Sequence, residues 1–256
     1  MTLFPLDTVR NARIDRLLEP LLEEVRGEVA RFRFPDGADL PTVQDVVEVF
    51  DMARPRLNVL LASLGGMEGR RGADVSTGFG FLPVLLARRG VHVVATERDT
   101  EVGAFARSHG IEVLRYHLGR TPPPFAPASL DFLVFAEVLE HLKLVPAAVI
   151  GEMASLLRPG GRFLLTTPNV ARMAHVEALV SGENFLEPFP EEVAWGADAT
   201  DALEHVREYS VREVVEAVEA ASLAVDEVVM TGWGEAGYNP PANPFAAEIM
   251  VVRATR

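Results

Sequence analysis

Apolar residues recur at helical spacing through the first part of the chain: Leu17, Leu18, Leu21, Leu22 and Val25, then Val43, Val46, Val47 and Phe50. Two amphipathic helices are expected there, parted by a turn at Pro35-Asp36-Gly37. Residues 1–55 thus read as a helical extension, packed on the remainder or acting as a lid over it. From residue 72 the pattern changes. Short apolar runs alternate with helical segments: strand Ala73–Ser76, glycine turn Thr77–Gly80, helix Phe81–Arg89, strand Val91–Thr96, helix Glu101–His109 and strand Ile111–Tyr116. Prolines at 122–124 force an extended link to a buried strand at Leu130–Phe135. Helix Pro146–Leu157 stops at Arg158-Pro159-Gly160-Gly161, and strand Arg162–Thr166 follows.

Residues 170–208 break this alternation and read as an inserted cap or substrate segment, carrying Gly182, Pro188, Pro190, Trp195 and Gly196. A helix at Val211–Ala221 and strands at Leu223–Met230 and Phe245–Arg253 complete the chain. Tyr238-Asn239-Pro240-Pro241, between the last two strands and followed by alanine, reads as a loop. The alternation predicts a doubly covered parallel sheet over residues 56–256, with ligands beyond the carboxyl ends of its strands.

The turn between the first two strands carries the first chemical signal. A strand ending on glycines lets backbone N–H groups and a helix N-terminus approach a ligand. Glu97, at the tip of the next strand, is placed to take the two hydroxyls of a ribose. From Gly78 the sequence runs G-F-G-F-L-P, so Pro83 stands where a dinucleotide fingerprint needs a small third residue. That counts against an NAD(P)-dependent oxidoreductase, which otherwise shares the sheet and the acid.

Composition narrows the partners. The 256 residues contain no cysteine, which excludes disulfides, thiolate catalysis and Cys-based zinc. A formal net charge of −13 repels polyanions, so nucleic acid is not the expected substrate. No apolar run reaches membrane-spanning length and the start lacks a signal-peptide core, so a cytoplasmic location away from membranes is expected.

Asp74-Val75-Ser76-Thr77-Gly78-Phe79-Gly80 resembles motif I of the class I S-adenosylmethionine (SAM) methyltransferases, D-x-G-x-G-x-G, departing from it at Ser76. Glu137-Val138-Leu139-Glu140-His141, and the run L-R-P-G-G-R-F-L-L-T-T-P-N from Leu157, strongly resemble the same family. The resemblance covers roughly residues 55–253. It implies a Rossmann-like α/β sheet of seven strands with the last antiparallel. SAM would be held by Asp74, Ser76, Gly78 and Gly80 at its methionine side and by Glu97 at the ribose. Arg98 and Leu118 would border adenine, and Phe135 would lie beneath the sulfonium. His117-Leu118-Gly119-Arg120 lacks the acid that family members often carry for the adenine amine. With Ser76, that omission motivates a rival reading as a non-catalytic binding module.

Glu137, Glu140 and His141 have i, i+3 and i+4 spacing, which a helical turn would gather on one face. Two carboxylates and an imidazole, completed by His205, make a plausible mixed O/N site for Mg, Mn or Zn. This pattern resembles that of the small-RNA 3′-terminal 2′-O-methyltransferases and is similar to that of ubiquinone-type O-methyltransferases. In such sites the ion gathers two acceptor oxygens and acidifies one. Without an ion, His141, seconded by Glu140, is the general-base candidate. His92, His109, His117 and His175 have no motif around them and read as structural or solvated. The expected acceptor is a hydroxyl on a small molecule, a sugar or a phenolic compound.

Overall fold

The computed structural model describes residues 9–33, 42–186, 205–233 and 241–256. The turn expected at residues 35–37, Pro188, Pro190, Trp195 and Gly196 of the inserted segment, and Tyr238–Pro240 lie outside them.

Helices α1 (Glu19–Val29) and α2 (Val43–Ser63) form the N-terminal part. Thr42 caps α2 with a capping box: its hydroxyl accepts from the Asp45 N–H, and the Asp45 carboxylate takes the Thr42 N–H. Strand β2 (Arg71–Val75), helix α3 (Phe81–Arg88), strand β3 (His92–Glu97), helix α4 (Ala104–Ser108) and strand β4 (Val113–Arg115) follow. Then come β5 (Leu130–Ala136), α5 (Pro146–Leu156), β6 (Leu157–Pro168) and α6 (Met173–Val180). The chain closes with α7 (Val211–Ala220), β7 (Ala224–Thr231) and β8 (Ile249–Thr255).

Among the described residues the sheet has eight strands rather than the seven expected. The additional one, β1 (Val9–Asn11), pairs in parallel with β7 at the outer edge, giving the order β1-β7-β8-β6-β5-β2-β3-β4. Only β8 runs antiparallel, against both β6 and β7. From β2 the chain winds outward through β3 and β4, then returns to build β5 and β6 on the other side of β2. The crevice at the carboxyl ends of β2 and β5 is therefore the topological switch point.

Two apolar layers flank the sheet. Leu22, Val25 and Val29 of α1, Phe50, Leu57 and Leu61 of α2, and Leu85 and Leu86 of α3 pack on one face. Val149, Ile150 and Met153 of α5 and Val214, Val215 and Val218 of α7 pack on the other. Arg54 and Arg88 also tie α1 to its neighbours through Glu19 and Glu28. Partly exposed pairs of this kind contribute only ~0–1 kcal/mol each, so the buried aliphatic residues hold the extension down. Helix α2 runs unbroken across the boundary expected at residues 55/56 and brings Arg56 to the site. Among the described residues, no helix is long and apolar enough to cross a membrane.

Candidate active site

The turn after β2 is organised by side chains as much as by glycines. Thr77 Oγ1 donates to the buried Asp74 carboxylate at 2.6 Å, and the Thr77 N–H donates to the Thr96 carbonyl at 2.9 Å. Burial pushes the Asp74 carboxyl up to about 7; the Thr77 bond opposes this and the Glu97 charge adds to it. Ser76 has φ +56°, in the left-handed region. A non-glycine residue there costs about 1–2 kcal/mol, so the departure from the motif leaves the bend intact at the expense of local strain. Gly80 has φ +81° and begins α3 against α4; a Cβ on it would come within 2.4 Å of the Ala106 Cβ.

Glu97 closes this turn. Its carboxylate accepts the Gly78 N–H at 2.9 Å and the Arg98 N–H at 2.7 Å. Burial raises its carboxyl above the ordinary value, against the pull of those two donors. Ser76, Glu97, Arg98 and Leu118 line a cavity of about 410 Å³ together with Glu137 and His141. A smaller pocket of about 70 Å³ continues behind Ser76, between Arg56, Asp74, Thr77 and Ala136. The larger volume falls in the usual range for small-ligand sites. Phe135 lines neither. It is fully buried in the core on the α5 and α7 side of the sheet, while Ala136 and Glu137, next in the chain, reach the cavities.

The acid–histidine stretch is not the helical turn that its spacing predicts. Glu137 adopts φ +54°, and only Leu139–His141 form a short 3-10 turn. The three predicted ligands therefore do not share a face. Glu137 turns away: one oxygen accepts from Thr166 Oγ1 at 2.7 Å and the other pairs with Arg56 at 2.8 Å. Arg56 carries no motif, and nothing in the sequence marked it; only the run of α2 over the switch point brings it there.

Glu140, His141 and His205 do converge, each offering a ligand atom within 4.8 Å of the others. The Glu140 carbonyl accepts the Val206 and Arg207 N–H groups at 2.7 and 3.2 Å, which draws the far end of the inserted segment against the turn. The His141 and His205 rings stand edge to face, 5.1 Å apart. Glu140 is fully buried. One oxygen accepts from Thr167 Oγ1 at 2.9 Å, and the other has no hydrogen-bond partner among the described residues. Burial first, and then the Glu137 charge, hold its carboxyl well above the ordinary range. A buried orphan oxygen beside two imidazoles fits a divalent cation, which would supply the missing partner.

A doubly covered sheet with one antiparallel strand, and an acid-tipped glycine turn at its switch point, give the chain the fold of the SAM-dependent methyltransferases. Known proteins agree: the family model described as a methyltransferase domain matches residues 73–165. Ubiquinone biosynthesis O-methyltransferase of Aeromonas salmonicida is 32% identical over 145 residues, covering 53% of this chain and 58% of the relative. That of Xylella fastidiosa is 36% identical over 129 residues, covering 48% and 52%. The chain thus spans about half the length of these curated relatives. Among solved structures, a SAM-dependent methyltransferase from Mesorhizobium loti has TM-score 0.55 at 21% identity, covering 80% of this chain and 98% of that one. Magnesium protoporphyrin IX methyltransferase from Synechocystis PCC 6803, solved with bound SAH, has TM-score 0.57 at 15% identity, covering 94% and 98%.

Proposed function

We propose that the protein transfers a methyl group from SAM to a hydroxyl of a small molecule, a sugar or a phenolic compound, with a divalent cation beside the acceptor. The observation that carries this reading is the shared cavity, which Ser76 and Glu97 line together with Glu137 and His141. Glu97 would take the ribose hydroxyls, Arg98 and Leu118 would border adenine, and the Ser76–Gly80 backbone would cradle the methionine portion. Arg56 and Asp74 in the smaller pocket would receive the charged amino-acid end.

The reaction is an in-line displacement. An acceptor oxygen bonds to the methyl carbon while the carbon–sulfur bond breaks and the sulfur takes the electron pair. Much of the rate then comes from holding the two reactants in line. The hydroxyl proton must also leave; without an ion the His141 imidazole, which lines the cavity, would accept it. Glu140, His141 and His205 would hold a cation, with Glu137 kept apart by Arg56. When bound, such an ion lowers the pKa of an acceptor hydroxyl. The O-methyltransferase names of the curated relatives support oxygen as the acceptor atom, and the net charge of −13 favours a small molecule over nucleic acid. A cytoplasmic setting goes with this reading.

The test is S-adenosylhomocysteine release from SAM across a panel of phenols, catechols and sugars, with and without EDTA. Turnover of a vicinal diol or catechol that EDTA abolishes and Mg²⁺ or Mn²⁺ restores is expected. Turnover indifferent to EDTA removes the cation and leaves His141 as base. Absence of S-adenosyl binding would favour a non-catalytic module, and thermal stabilisation by NAD(H) alone would favour an oxidoreductase.

A further inference from the structure

Behind the cluster stands a carboxylate that the motifs do not point to. Glu208 is buried, with 5% of its side chain exposed. One oxygen lies 3.1 Å from His205 Nδ1; the other takes Arg172 at 3.0 Å and lies 3.5 Å from His175 Nδ1. Arg172 is the N-cap residue of α6 and His175 belongs to its first turn. The His175 ring is fixed independently, with Nδ1 3.1 Å from the Val170 carbonyl and its face stacked on Phe185 at 4.1 Å. Glu208 is thus held rigidly from the α6 side and presents its remaining oxygen to His205.

An ionised carboxylate only accepts hydrogen bonds, so this contact places the His205 proton on Nδ1. Nε2 is then left with the lone pair, the single ring atom able to ligate. His205 itself is 36% exposed, against 6% for His175, and meets the His141 ring edge to face. Its ring therefore depends on Glu208 for orientation and tautomer.

We infer that Glu208 is the positioning residue of the cation site: it fixes the His205 tautomer and aims Nε2 toward Glu140 and His141. This rests on the cation reading above and extends it to a residue outside the ligand set. A carboxylate behind a ligating imidazole also raises its basicity, and loss of such a group typically weakens metal affinity 10–100-fold.

The experiment is Mn²⁺ binding by calorimetry and electron paramagnetic resonance, with S-adenosylhomocysteine affinity as the check on folding. Four proteins are compared: wild type, Glu208→Gln, Glu208→Ala and Arg172→Ala. Glu208→Ala should weaken Mn²⁺ by about 10–100-fold, and Glu208→Gln by less, with S-adenosylhomocysteine affinity unchanged. Arg172→Ala should lose less than Glu208→Ala, since the His205 contact survives it. Nitrogen NMR of the cation-free proteins should show His205 protonated at Nδ1 in wild type and Arg172→Ala but redistributed to Nε2 in Glu208→Ala. Equal losses for Arg172→Ala and Glu208→Ala, or an unmoved tautomer, would make Glu208 a tether for α6 and overturn the inference. Wild-type protein that binds no Mn²⁺ would instead remove the cation reading itself. Wild type that binds, with Glu208→Ala binding equally well, would leave that reading standing and remove this one.

Discussion

Gly80→Ala separates two costs that the glycine turn combines. At φ +81° an alanine pays the left-handed penalty of about 1–2 kcal/mol. Its methyl would also lie 2.4 Å from the Ala106 Cβ, a buried methyl with no rotamer to escape into. Parting α3 from α4 to admit it is overpacking, worth about 1–3 kcal/mol. The expected loss is about 2–5 kcal/mol, a fall in Tm on the order of 4–20 °C for a chain of this size. Gly78→Ala is the control, because Gly78 has φ +56° with no atom within 4 Å of the added methyl. It should lose only the backbone part, about 1–2 kcal/mol. Urea unfolding of both variants, at unchanged m-value, gives the comparison. Adding Ala106→Gly to Gly80→Ala should recover the packing part, less about 1 kcal/mol for a glycine in a helix. If Gly78→Ala proved as damaging as Gly80→Ala, or the second substitution recovered nothing, contact with Ala106 would not be the cause.

Asp74→Asn tests the buried acid: a folded-state pKa near 7 means the native state binds more protons than the unfolded chain between about pH 4 and 7. Wild-type stability should therefore fall as pH rises through that window, by up to ~4 kcal/mol, and Asp74→Asn should be the more stable protein at pH 8 but not at pH 4.5. An equal gap at both pH values would refute the assignment. A double-mutant cycle of Arg56→Met and Glu137→Gln should give a coupling of about 1–3 kcal/mol, below the fully buried range because each side chain keeps 16% exposure; a coupling near zero would dissolve the pair. Glu97→Gln should weaken S-adenosylhomocysteine about 10–100-fold in calorimetry while leaving the fold intact, and unchanged affinity would remove the acid from the site.

What could be read in the chain and what could not divide along physical lines. The β2–α3–β3 unit was legible because short apolar runs, two glycines and a terminal acid are local signals. Strand β1 was not: Val9–Asn11 is three residues long and has no alternation to show, being held by pairing with β7 more than 200 residues away. The placement of Phe135 failed for a different reason. Residues 132–135 of β5 are all apolar and buried on both faces, so the sequence carries no parity to say which side each takes. The meeting of Glu140, His141 and His205 was legible in its members but not in its geometry. Spacing assumes a helix, and the left-handed Glu137 removes that carboxylate to Arg56. Ser76 shows the converse, since a motif departure that suggested a lost site is accommodated by backbone strain. Arg56 and Glu208 were invisible because their significance lies in partners 81 and 3 residues away whose side chains meet only in the folded chain.

The most direct measurement is a crystal structure with S-adenosylhomocysteine and Mn²⁺, using anomalous scattering to locate the metal. It should show the ribose hydroxyls on Glu97, the homocysteine portion running past Ser76 toward Arg56, and the sulfur facing His141 across open space, with manganese on Glu140, His141 and His205. An empty turn between β2 and α3, or adenosine density anywhere else on the molecule, would contradict the proposed seat for the cofactor.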